Sequence, residues 1–137
     1  MSLKSAAAIV SATLILTPTP ARAHHAFAAE FDAKKPVHLE GVISKVELIN
    51  PHAWIHVDVT GSDGKVTTWM IEAGSPNVLL RRGINKNTIV KGTRVTVEGY
   101  QSKDGSMRAN GRDIVLPDGK KLFLGSSGTG APYDEKK

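Results

Sequence analysis

Asn50-Pro-His-Ala-Trp-Ile-His-Val-Asp-Val-Thr-Gly-Ser-Asp-Gly-Lys-Val-Thr-Thr-Trp-Met-Ile-Glu72 holds the clearest β-hairpin in the chain, two of its five histidines and both tryptophans. From Ala53 to Val59 the residues alternate, Ala53, Ile55, Val57 and Val59 against Trp54, His56 and Asp58, the period-two pattern of a strand with one buried face. Gly61-Ser-Asp-Gly64 supplies the turn. A three-residue loop with Gly64 in the left-handed region fits a type I turn followed by a bulge. That loop pairs Ile55 with Ile71, Val57 with Trp69, His56 with Met70 and Trp54 with Glu72. A slip of one residue would divide the aliphatic side chains between the two faces, so the register is well specified. The apolar face is expected to point into the core, with His52, Trp54, His56, Met70 and Glu72 on the other.

Outward from the hairpin, Val37 to Ile49 reads as a long first strand, with Gly41 marking a bulge or bend and Asn50-Pro51 ending it. After Glu72, Ala73-Gly74 breaks the third strand, and Ser75-Pro76 starts a short helix with serine as N-cap and proline at the first helical position. Leu79 and Leu80 are expected to pack inward, and Arg81 and Arg82 to lie at the helix end. Arg94 to Tyr100 alternates again, Lys103-Asp104-Gly105-Ser106 is a turn, and Arg108 to Leu116 is a fifth strand interrupted by Gly111. Pro117-Asp118-Gly119-Lys120 leads into a short strand, Lys121 to Leu124. The order strand, strand, strand, short helix, strand, strand is that of an OB-fold, a five-stranded, partly open barrel. The expected class is therefore all-β with one short helix, an OB-fold-like barrel over residues 37–124, with a small β-sandwich as the competitor. Residues 24–36 read as an N-terminal arm in which Phe27 and Phe31, four apart, share a face of one helical turn or belong to an extended segment. Residues 125–137 turn to Gly, Ser, Thr, Pro and charge, and are expected to be a disordered tail.

The chain's opening reads as an address. Lys4, an apolar run from Ala6 to Leu16, a break at Thr17-Pro-Thr-Pro20 and the small-x-small pattern Ala21-Arg22-Ala23 form an export signal over residues 1–23. The apolar run is about half the ~20 residues of a membrane span, so no stable anchor is expected after cleavage. Removing residues 1–23 takes away Lys4 and Arg22, which lowers the formal net charge of +5 by two. The remaining basic residues are scattered, and no stripe for nucleic acid stands out. Cysteine is absent. In an exported domain this leaves stability to the core alone. The expected location is the periplasm or the medium.

Imidazoles and a thioether on one strand face suit copper: neutral histidine takes Cu(II) or Zn(II), and methionine favours Cu(I). Cleavage after Ala23 would also leave His24 with a free α-amine and an imidazole, and His25 beside it. An amine with a pKa near ~8 is readily deprotonated by a metal, so this end is a chelating arm. The candidate copper ligands are therefore His24, His25, His52, His56 and Met70. Two other readings stand beside this one. In the first, the face carries no ligand: His52 stiffens the turn, and Trp54 and Met70 cover the barrel beneath the arm. In the second, Trp54 stacks on an envelope polymer, an anionic polysaccharide, with Arg81, Arg82 and nearby lysines. An envelope protein is a further partner class. His38 reads as a surface residue. Ser44, Ser75, Asp58, Glu72 and Glu98 form no recognisable nucleophile, base and orienting group, and a non-enzyme is expected.

The segments His24-His25-Ala-Phe-Ala-Ala-Glu-Phe-Asp, Asn50-Pro-His-Ala-Trp54, Gly74-Ser-Pro-Asn77, Leu79-Leu-Arg-Arg-Gly83, Val95-Thr-Val-Glu-Gly99 and Leu116-Pro-Asp-Gly119 together resemble an uncharacterised family of small exported bacterial proteins, a domain of unknown function. The resemblance covers most of the chain beyond the signal and implies no particular activity. In size, address and barrel type the chain is also similar to small periplasmic OB-fold copper chaperones, which hold Cu(I) with His and Met beside a Trp. That similarity implies His56, Met70 and Trp54 as copper-holding positions. Met70 is the one methionine near this face, where that group carries a methionine-rich strand.

Overall fold

The computed structural model describes residues 26–135. The expected export signal over residues 1–23 and the candidate ligands His24 and His25 lie outside the described residues. A five-residue helix α1 (Ala26–Glu30) leads into β1 (Phe31–Glu47), β2 (Trp54–Thr60), β3 (Val66–Glu72), the short helix α2 (Pro76–Arg81), β4 (Arg94–Ser102), β5 (Arg108–Val115) and β6 (Lys121–Phe123), and a 3-10 turn spans Pro132–Glu135. The strands form one sheet in the order β3-β2-β1-β4-β5-β6, and an added pairing of β3 with β5 joins the first five into a ring. This is the expected all-β, OB-fold-like arrangement rather than two packed sheets. It carries two short helices where one was expected. The closing joint is short and parallel: Met70, Ile71 and Glu72 lie against Arg108, Ala109 and Asn110. β6 hangs outside the ring on β5.

β1 makes the ring possible by serving two neighbours. Its first part pairs with β4 and its last part with β2, and Val42 faces both Arg94 and Asp58 at the handover. A β-carbon on Gly41 would lie 2.4 Å from the Asp58 carbonyl oxygen, so this glycine admits a close approach of β2. The register shift itself falls later, between Ile43 and Lys45. β1 also starts at Phe31, ahead of the expected Val37, and takes in part of the stretch read as an arm.

The β2–β3 hairpin has the register its alternation requires, with Ile55 facing Ile71, Val57 facing Trp69, His56 facing Met70 and Trp54 facing Glu72. Ile55, Val57 and Ile71 are fully buried with Ile43, Val97 and Ile114, and Trp69 packs half-buried against them. α2 plugs one end of this core. Ser75 caps it, its hydroxyl accepting from the Val78 amide at 3.4 Å. Leu79 is fully buried there, together with Ile84 and Ile89. Leu80 corrects the expectation of two inward leucines: at 61 % exposure it points away, since adjacent residues on a helix cannot share a face.

A second, smaller cluster lies outside the ring. Phe27 and Phe31 have ring centroids 5.9 Å apart, and Phe27 meets Tyr100 edge-on at 5.6 Å. Ala131 is buried in the same cluster and Tyr133 packs against it. The expectation of a disordered tail therefore fails for residues 125–135. Composition alone undervalued the segment, because Ala131 and Tyr133 dock on an aromatic surface that the arm and β4 have already built. The Phe27 amide donates to the Thr129 carbonyl at 3.2 Å, and the Tyr133 hydroxyl lies 3.0 Å from Asn110 Oδ1. Among the described residues, no helix is long and apolar enough to cross a membrane.

Candidate functional site

The outer face of β2, β3 and β5 is set by ladder register. One row across it runs His56, Met70, Arg108, and the next runs Trp54, Glu72, Asn110. His52 lies just before the ladder, in the connection that turns at Asn50-Pro51. Its neighbour Ala53 is pinned by backbone bonds, donating to Gly74 at 3.0 Å and accepting from Ala73 at 2.9 Å. This places the His52 ring over the end of β3, where its Nδ1 pairs with Glu72 Oε1.

Glu72 is the most enclosed acid of the face, its side chain only 10 % exposed. Burial pushes its carboxyl above the ordinary carboxylate range, against the opposing influence of His52. The pair opens into a cavity of about 250 Å³ whose other walls include Ala26 and Glu30 of α1, Pro51 and Thr129. The arm thus forms a roof over His52, and Ala26, the residue that follows His25 in the chain, is part of that roof.

His56 belongs to a different group. Its Nε2 lies 2.7 Å from Glu47 Oε2, and Lys45 Nζ lies 2.8 Å from the other oxygen of the same carboxylate. Hydrogen bonds from Lys45 and then from His56 hold the Glu47 carboxyl below its ordinary value. His52 and His56 thus sit in separate ion pairs, one with Glu72 and the other with Glu47. Met70 faces His56 and not His52. Among the described residues, no three His, Asp or Glu side chains gather into a metal-holding group.

Trp54 carries a cation on its ring, with the Arg108 guanidinium 5.2 Å from the centroid. Arg108 also reaches Glu30 of α1 at 3.3 Å. The ring is thus engaged by a guanidinium rather than left as an open stacking platform. Arg82, the other arginine invoked for a polymer, is directed elsewhere, over Phe123 at 4.6 Å and onto the Gly125 carbonyl. His38 lies between Glu40 at 3.5 Å and Glu98 at 3.6 Å on the exposed side of β1. The partners Glu47, Glu30 and Arg108 were missed by the reading of the hairpin alone. Glu47 enters through the β1–β2 register, and Arg108 through a parallel joint that has no local signal.

No curated protein and no solved structure matches the chain. Residues 11–111 match a family described as a family of unknown function, a span that takes in the arm, the hairpin with His52 and Glu72, and most of the ring. The chain therefore belongs to the family of unknown function DUF6152.

Proposed function

We propose that the protein is an exported, non-enzymatic copper-binding protein whose Cu(II) ligands are the α-amine and imidazole of His24, the imidazole of His25, and Nε2 of His52. Glu72 is a positioning residue. With Nδ1 of His52 turned to the Glu72 carboxylate, Nε2 is left as the ligand nitrogen, the arrangement in which an outer carboxylate orients a metal-bound histidine. The observation that carries this reading is the shared cavity: Ala26 lines it together with His52 and Glu72. The two residues before Ala26 reach at most about 7 Å, enough to bring an amine and two imidazoles to the cavity mouth. The carboxylates of Glu30 and Glu72 favour a cation there. The Met70–His56 pair is a separate and weaker candidate for the reduced ion, because Arg108 stands in the same row.

The test is Cu(II) titration of protein beginning at His24, followed by calorimetry and by the absorption of the copper centre. One ion per chain is expected, with affinity falling as pH drops through the imidazole range near ~6.5, because protons compete for the nitrogens. One residue added before His24, or His52→Ala, should weaken binding by at least about tenfold, since each removes a direct ligand where the loss of an outer partner alone costs about that much. Glu72→Gln should weaken it less, and His56→Ala not at all. Stoichiometric binding that survives both the extension and His52→Ala would overturn the assignment.

A further inference from the structure

A second concavity lies away from the copper site, where the bulged end of β1 diverges from the loop that joins α2 to β4. It is an open groove of about 430 Å³. That is the size range of small-molecule pockets, which are lined mainly by apolar groups with a few placed polar ones. Its apolar lining is Val46, Leu48, Ile89 and Val90, and its charged lining is Lys45, Lys86 and Lys91. Ile89 is fully buried and Val46 and Leu48 pack on the core, so the floor is rigid. Val90 is 46 % exposed, and Ile49, next to Leu48 in the chain, is 58 % exposed. These are two of the large apolar side chains left most open on the described surface.

The charge is one-sided. No acidic residue lines the groove. Lys45 is partly neutralised by Glu47 at 2.8 Å. Lys86 and Lys91 come from the loop on the opposite wall. An ammonium is a compact point charge that accepts a carboxylate from many directions, without the paired geometry an arginine demands. The Ser44 hydroxyl already lies 3.4 Å from the His56 carbonyl. The lining side chains are therefore rich in donors and poor in acceptors, which leaves the N–H groups of a peptide unsatisfied wherever the groove covers them. An alkyl chain has no such requirement.

We propose that this groove binds a fatty acid, its alkyl chain lying along Val46, Leu48 and Val90 above the buried Ile89 and its carboxylate held by Lys86 and Lys91 with Lys45 beside them. The site is independent of the copper reading, since it shares no residue with the cavity beneath the arm.

Sodium dodecanoate is the probe, titrated below its micelle concentration into the chain beginning at His24. Saturable binding with one molecule per chain is expected, with dodecyltrimethylammonium at least about tenfold weaker because its head carries the wrong sign. The exposed double substitution Lys86→Glu with Lys91→Glu should weaken dodecanoate by at least about tenfold through like-charge repulsion. Val90→Asp should weaken both amphiphiles. Circular dichroism and an unchanged urea midpoint establish that each variant is folded. Non-saturable uptake, equal binding of the two head groups, or insensitivity to the lysine reversal would each overturn the proposal. So would association with anionic phospholipid vesicles by a protein that ignores free dodecanoate, which would mark a membrane-facing surface instead of a ligand groove.

Discussion

Gly99 and Gly111 face each other across β4 and β5, next to the shift in register that displaces Arg112. A β-carbon on Gly99 would lie 2.1 Å from the Asn110 carbonyl oxygen and 3.2 Å from Gly111 Cα. Both are backbone atoms, which cannot swing aside. Gly99→Ala must therefore part the strands, and a loss of about 3 kcal/mol is expected from urea unfolding, at the upper end of overpacking costs. Gly64 makes the contrast: it has a φ of 79° and nothing within 4 Å of an added carbon. Gly64→Ala should cost only about 1 kcal/mol, the left-handed penalty alone. At Asp104 the effect is electrostatic. The Ser102 hydroxyl at 2.7 Å, and after it the Ser106 amide at 2.9 Å, hydrogen-bond the carboxylate. They lower its pKa from 3.8 to about 2. A depressed carboxylate stabilises the fold above its unfolded pKa and loses that contribution as pH falls through the folded value. Asp104→Asn keeps an acceptor oxygen but not the charge. Its urea midpoint should lie below that of the parent at pH 6, and the gap should close between about pH 4 and pH 2.

Among the elements, the hairpin was the most legible, because strict alternation of Ile55, Val57, Trp69 and Ile71 leaves a single register that buries them together. The facing of Trp54 and Glu72 followed from it; the pairing of His52 with Glu72 did not, because His52 lies outside the ladder. The joint of β3 to β5 was not legible: three residues in parallel carry no turn and no alternation that names their partner. Arg108 over Trp54 depends on that joint and was lost with it. The tail was misread for a related reason, since its docking depends on a surface made by residues about a hundred positions earlier. α1 is the element whose removal tests this. Phe27→Ala deletes a ring packed on Phe31 and Tyr100. In a small cluster outside the main core, about 3 kcal/mol of packing is lost locally. Hydrogen exchange should then accelerate at the amides of α1 and of residues 125–131 while β2 and β4 keep their protection, the pattern of a unit that opens without the rest. Uniform acceleration would show instead that arm, tail and ring unfold as one.

For the molecule as a whole, the roofed His52–Glu72 cavity and the lysine-edged groove share no lining residue, so ligands at the two need not compete. The contact of the Phe27 amide with the Thr129 carbonyl has a consequence for connectivity itself. The six residues that follow Thr129, up to Glu135, carry the chain at most about 20 Å from that contact, a gap that a Gly/Ser linker of about eight residues can cross. Residues 26–135 can then be circularly permuted: Glu135 is joined to Ala26, and new termini are opened between Asp118 and Gly119, both exposed in the turn before β6. Every ring strand stays in its original order, and β6 becomes the leading segment. If location in space rather than order along the chain holds the arm and tail together, the permutant should fold cooperatively, with a β-type circular dichroism spectrum and a melting midpoint within about 10 °C of the parent.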